Sequence, residues 1–219
     1  SWWWLLVVMV SLPLISARLF GRNNNNNDGE VTADIVGGQV VEKTGAYPYF
    51  AISQLVVGLC GATLIHDDLL VTAAHCRGVF LDGVHLGSTY LNGTADAGAQ
   101  QGELLDVEFE FPHPLHKDTS EQHDIMIVKL SSPAQALPVP FNKDTNYPDG
   151  QVTAIGFGTQ VEDGDLSDRL QTVNLDTVPN DLCQELYAEN EVYVRIEDTM
   201  LCASAEGKDA CQGDSGGSL

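Results

Sequence analysis

The sequence predicts an all-β protein, on three observations. Short apolar stretches recur along it, Gly, Pro and Asn mark their boundaries with 21 Gly and 9 Pro spread over 219 residues, and no segment repeats at a fixed period. Together these describe antiparallel strands joined by turns, in a sandwich or a barrel. Pattern alone does not choose between the two.

Taken in order, residues 1–17, "SWWWLLVVMVSLPLISA", are apolar from Trp2 to Ala17 apart from Ser11, Pro13 and Ser16. The run is too short for a comfortable membrane span and ends in a small residue, so it predicts a signal peptide and no stable membrane insertion. A signal anchor is the alternative, disfavoured because no positive flank precedes the run. The chain begins with Ser rather than Met, so the true N-terminus is expected upstream. Residues 18–34, "RLFGRNNNNNDGEVTAD", carry five consecutive Asn and few apolar side chains, the composition of a flexible pro-segment. Strand-like stretches then follow from "YFAISQLVV" at 49–57 through "GATLI", "LLVTAAH", "VHLGSTYL", "LLDVEFEF", "DIMIVKL" and "VTAIGFG" to "LQTVNLDTV" at 170–178. Between the last of these and the C-terminus, "PNDLCQELYA" at 179–188 has a Pro-Asn-Asp start and predicts one short helix.

The chain carries 10 Lys and Arg against 31 Asp and Glu, a formal charge of −21, which repels phosphate backbones and excludes nucleic acid as a partner. The acid excess keeps the surface soluble and could also attract cationic substrates. Secretion would put the five cysteines, Cys60, Cys76, Cys183, Cys202 and Cys211, in an oxidising compartment where they pair. Five is odd, so Cys211 is either a free thiol or paired beyond residue 219.

Acyl transfer at a peptide bond needs an activated hydroxyl, a base within hydrogen-bond reach, an acid that fixes the tautomer of that base, and donors for the developing oxyanion. The motif "TAAHC" at 72–76 offers His75, "HDIMIVKL" at 123–130 offers Asp124 ahead of an apolar strand that would bury it, and "GDSGG" at 213–217 offers Ser215. His66, His85, His113, His116 and His123 fit no metal-ligand spacing with nearby acids and are read as ordinary surface or loop residues, so no metal or other cofactor is expected.

With "IVGG" at 35–38, "CGATLI" at 60–65, "TAAHC", "DIMIVKL", "GFG" at 156–158 and "CQGDSGG" at 211–217, the chain resembles the trypsin/chymotrypsin-like serine proteases from Ile35 to its last residue. Six landmarks in the family's order are far more specific than any one of them. The resemblance implies two antiparallel six-stranded β-barrels over residues 35–219, the second incomplete in this chain because a substrate-binding strand, a partner for Cys211 and a C-terminal helix would follow. It makes Ser215 the nucleophile, His75 the general base and then acid, Asp124 the carboxylate that orients His75, and the backbone N–H groups of Gly213 and Ser215 the oxyanion hole, where one lost donor costs about 3 to 4 kcal/mol. It pairs Cys60 with Cys76 and Cys183 with Cys202.

Six residues before Ser215, Asp209 matches the acid at the base of the primary pocket in trypsin-like members, which implies cleavage after Arg or Lys. A chymotrypsin-like or elastase-like preference would need Asp209 to lie outside that pocket. Cleavage before Ile35 would free an amino group to pair with Asp214, so the uncleaved chain is expected to be a zymogen. Asp34 departs from the Lys or Arg that trypsin-activated relatives carry before the cut, which points to a different activating protease or to trimming after Arg22. The sequence thus predicts a secreted, monomeric endopeptidase whose partners are polypeptide substrates and an activating protease. The other class of reading is a silent homologue acting as a binding protein, against which the intact His75, Asp124 and Ser215 argue. The sequon "NGT" offers Asn92 to a glycan, and the acids between His85 and Glu108 match no calcium loop clearly.

Overall fold

The computed structural model describes residues 38–43, 45–55, 58–91, 102–119, 121–140, 149–159, 165–189, 194–205 and 213–219. The 1–17 and 18–34 segments, Ile35, Asn92, Asp209 and Cys211 lie outside the described residues. Among the described residues no helix is long and apolar enough to cross a membrane.

The eleven described strands are β1 (Gln39–Val40), β2 (Phe50–Leu55), β3 (Gly58–His66), β4 (Leu69–Thr72), β5 (Val84–Leu86), β6 (Glu103–Leu105), β7 (Val107–Pro112), β8 (Met126–Leu130), β9 (Gln151–Gly156), β10 (Gln171–Val178) and β11 (Cys202–Ser204). The helix predicted at 179–188 is present as α1 (Asn180–Glu189). It begins after Pro179, carries Asp181 in its first turn where the peptide dipoles favour a carboxylate, and buries Cys183.

One sheet runs β6-β5-β2-β3-β4-β8-β7, antiparallel throughout. Its first and last strands are separated in the chain only by Asp106, whose carbonyl accepts the Ser131 N–H at 2.9 Å. The sheet therefore curls until both ends belong to one bent stretch, which is the geometry of a barrel. Alternation drives the burial. Along β8, Met126, Val128 and Leu130 point inward while Ile127 and Lys129 are half-buried. With Leu64, Leu70, Phe80 and Val84 they form the barrel core.

The second sheet has four described strands, with β10 pairing β9 along one side and β1 and β11 along the other. Its own cluster is small, centred on Ala154, Val173 and Leu175. Between the two halves lies a third cluster, where Phe50 and Ile52 of β2 and Leu59 of β3 meet Ile155, Phe157 and Leu170, and the Phe50 and Phe157 rings sit 6.1 Å apart. Backbone bonds cross the same seam, from Leu170 N–H to the Thr89 carbonyl at 2.9 Å and from Leu91 N–H to the Asp168 carbonyl at 3.0 Å. The all-β prediction matches this architecture, with two antiparallel sheets, the first curled into a barrel, and one short helix. The cysteine pairs also match, with Cys60 joined to Cys76 and Cys183 to Cys202.

Candidate active site

Strand β4 ends at Thr72, sooner than the apolar stretch "LLVTAAH" suggests, because Ala74–Cys76 tighten into a 3₁₀ turn. Two constraints fix that turn. Thr72 Oγ1 donates to the Gly61 carbonyl at 2.7 Å on one side of His75, and the Cys60–Cys76 disulfide ties the other side to β3. The bridge closes a separation of 16 residues, worth about 3 kcal/mol by loop-closure entropy.

Asp124 sits just ahead of β8, and its side chain is 4% exposed. His123 before it has φ 58°, and Ile125 N–H donates back to the His123 carbonyl at 2.8 Å, so the chain turns tightly around the acid. The turn aims the carboxylate at the 3₁₀ segment. Asp124 Oδ1 accepts the His75 backbone N–H at 2.8 Å, and Oδ2 lies 2.6 Å from His75 Nδ1. An ionised carboxylate has no proton to give, so Nδ1 is the donor and Nε2 is left with a free lone pair. The imidazole is 44% exposed, which leaves that edge open to a reacting group.

The electrostatics follow from this contact. The hydrogen bond to Asp124 raises the His75 pKa above that of an ordinary imidazole, against the opposing effect of burial and helped by the charges of Asp124 and Glu121. Burial alone would raise the Asp124 carboxyl, but the His75 ring and backbone hydrogen bonds, with the charges of His75 and His116, outweigh it and hold the acid below its usual range. The pair is poised as an imidazole that binds a proton more tightly than usual beside a carboxylate that stays ionised.

Ser215 lies in the turn 213–217, where Gly213 at φ 99° and Gly216 at φ 74° adopt left-handed conformations that glycine reaches at little cost. The Ser215 carbonyl accepts the Gly61 N–H at 2.9 Å, and Cys76 Sγ lies 3.8 Å from the same oxygen. Packing is close enough to exclude side chains: a Cβ at Gly61 would lie 2.7 Å from Gly217 Cα, and one at Gly216 would lie 2.6 Å from the Gly61 carbonyl. A hydrogen bond of 2.6 Å between Thr63 Oγ1 and Ser218 Oγ adds a further tie across the seam. His75 and Asp124 thus meet directly, and the 213–217 turn that carries Ser215 docks through its backbone on Gly61 of β3, beside the cysteine that follows His75.

Asp214 is buried, 2% exposed, and its carboxylate accepts the Gly158 N–H at 2.7 Å. The spacing of "GFG" follows from this: Phe157 fills the seam, while a Cβ at either Gly156 or Gly158 would overlap the Asp214 carboxylate. His116, read from the sequence as an ordinary loop residue, instead has a ring only 8% exposed with Nδ1 3.9 Å from Asp124 Oδ1. His113 and His123 stack with ring centres 4.8 Å apart, His66 pairs with Asp68 at 3.1 Å, and burial pushes His85 down. Potential metal-ligand atoms of Cys60, His75 and Cys76 lie within 4.8 Å of one another, but both sulfurs are committed to the disulfide.

Comparison with known proteins agrees with these landmarks. A family model described as Trypsin matches residues 35–219. The chain is 32% identical over 204 residues to the venom peptide isomerase heavy chain of Agelenopsis aperta, covering 84% of this chain and 82% of the other. It is 34% identical over 220 residues to a trypsin of Sarcophaga bullata, covering 94% and 80%, and 33% identical over 207 residues to kallikrein-2 of Homo sapiens, covering 86% and 76%.

Proposed function

The chain belongs to the trypsin family of serine proteases, and on that premise we propose that it is a secreted endopeptidase in which His75, Asp124 and Ser215 form the catalytic triad. The observation that carries this reading is the two-point hold of Asp124 on His75, through Nδ1 at 2.6 Å and the backbone N–H at 2.8 Å, beside the docked Ser215 turn.

In the proposed reaction Ser215 Oγ attacks the scissile carbonyl and His75 Nε2 takes the hydroxyl proton. Asp124 keeps the imidazole in the tautomer that can do this and stabilises the imidazolium that forms. Negative charge gathers on the substrate oxygen, where the N–H groups of Gly213 and Ser215 serve as donors. Collapse expels the amine, which receives the proton from His75, and leaves an acyl ester on Ser215. Water then repeats the sequence, giving its proton to His75 and its hydroxyl to the acyl carbon, and Ser215 recovers its proton.

Asp209 is the basis for proposing cleavage after Arg or Lys in polypeptide substrates, since a carboxylate at the pocket base pairs with a cationic side chain. The proposed zymogen is activated by cleavage between Asp34 and Ile35, with the new amino group directed to Asp214. The glycine-lined slot around that buried carboxylate supports this reading. Residues 1–17 act as the signal peptide, 18–34 as the pro-segment and 35–219 as the protease domain of a monomer that takes no cofactor.

The likeness to a venom peptide isomerase heavy chain favours a second reading, in which a peptide is isomerised rather than cut. Fluorophosphonate labelling of the processed protein beginning at Ile35, beside Ser215→Ala, tests the nucleophile. Mass spectrometry of peptides varied at the cleavage position separates the reactions, because hydrolysis adds a water to the summed products and isomerisation leaves the mass unchanged. Labelling lost in Ser215→Ala with cleavage after Arg or Lys is the expected result. A folded, processed protein that is never labelled would favour the silent binding homologue.

A further inference from the structure

Asp124 faces a second imidazole besides that of His75. His116 lies on the segment between β7 and Asp124, in a turn where its N–H donates to the His113 carbonyl at 3.0 Å. Its ring, 8% exposed, has Nδ1 3.9 Å from Asp124 Oδ1 and Nε2 3.8 Å from Asp118 Oδ1. Neither ring nitrogen makes a hydrogen bond to a described residue.

At 3.8 and 3.9 Å neither nitrogen is within hydrogen-bond range of its carboxylate, so charge on the ring would act on Asp118 and Asp124 through space. Protonated, the same ring presents positive charge to a carboxylate at each nitrogen. The charged and titratable groups around it are Asp118 and Asp124, Lys117 and Glu121 of its own loop, and His75 of the 3₁₀ turn beyond Asp124.

We propose that His116 is a positioning residue that shares the Asp124 carboxylate with His75, so that a proton on one imidazole weakens the hold of Asp124 on a proton at the other. This rests on the reading of His75 as general base given above. Two cations drawing on one anion titrate as a coupled system, and the proton held by His75 is the one that limits activity on the acid side.

The test is the titration of the His75 ring by ¹⁵N NMR, together with kcat/KM against pH, in the processed protein and in His116→Phe, His116→Gln and His116→Lys. Removing the competing imidazole with Phe or Gln is expected to move the His75 titration and the acid limb upward by about half a pH unit, and the permanent charge of Lys to move both downward by a similar amount. Thermal unfolding identifies any variant that fails to fold, and the neutral Phe and Gln variants suffice if Lys does not. His75 titrating at one pH in the parent and every folded variant overturns the proposal, as does a Gln variant that follows the parent rather than Phe. A parent without turnover would refute the endopeptidase reading while the NMR titration still decides the coupling. Turnover with an unmoved titration would overturn the coupling alone.

Discussion

His75 and Asp124 are held within one closed barrel, whereas Ser215 is held across the seam between the two halves. Both members of the first pair lie at the ends of strands of the same sheet, β4 and β8, which run side by side with Thr72 opposite Met126. Ser215 instead depends on a glycine-rich turn pressed against β3, with the Gly61 N–H and the Thr63 hydroxyl as its ties. The difference teaches that the hold on the proposed general base is a property of one folding unit, and that the place of the proposed nucleophile is a property of docking.

The sharpest way to break the comparison is within the barrel. Asp124→Asn should lower kcat by about 10⁴, the loss such a change brings in proteases of this type, with little effect on how the 213–217 turn docks. The pH dependence checks the same contact. Because the His75 value is raised, the parent's activity should fall as pH drops through a point above the ordinary imidazole value. The stability supplied by protonated His75 is fully present below that ordinary value and vanishes as pH rises through the raised one. The Asp124 contribution is present above the ordinary carboxylate value and fades as pH falls through its lowered one. Thermal midpoints of the parent and the Asp124→Asn variant should therefore lie further apart at about pH 5 than at about pH 9. A constant gap would mean that the 2.6 Å contact carries no differential charge interaction.

Core truncation sharpens the contrast at the next scale. Leu64→Ala, in the fully enclosed first core, should cost toward 5 kcal/mol, and Leu175→Ala, beside the half-buried Val152, Ala203 and Leu219, nearer 2 kcal/mol, since the loss depends on how far the surroundings can settle. Urea midpoints measure both, and equal losses would contradict the difference in enclosure. The smallest effect belongs to the seam. Thr63→Val removes the bond to Ser218 without changing shape much and should cost about 1 kcal/mol. Activity should fall while the His75 titration stays where it was, because the hydrogen bonds between His75 and Asp124 are untouched.

Much of this was legible in the residues themselves, for identifiable reasons. Apolar stretches with turn boundaries gave away β2 through β10, and Pro179-Asn180-Asp181 announced α1. Strand ends were less visible. "VHLGSTYL" is strand only over Val84–Leu86 because Gly87 turns at φ 73°, and "LLDVEFEF" bends at Asp106, where the barrel closes. His75, Asp124 and Ser215 stood in short motifs whose spacing reflects tight local turns. His116 had no such mark, since its nearness to Asp124, eight residues on, arises from the loop folding back and not from any periodicity. Gly156 and Gly158 were visible as a motif, but the reason for them, room for the Asp214 carboxylate, required the second segment to be in place.

The closure at Asp106 has a consequence for how the protein comes together and comes apart. The stretch Glu103–Pro112 pairs at one end with β5 and at the other with β8, so it can lock only after segments about forty residues apart in sequence have met, which makes it a late and slow step of folding. Once locked, it ties the two ends of the first sheet together through one bent stretch. Loosening it in a destabilised variant frees the rims of β5 and β8 at once, giving two templates for strand addition from other chains. Aggregation from the partly open state should thus begin at this bend, and slow amide exchange along β5 and β8 should be lost together there before the rest of the sheet.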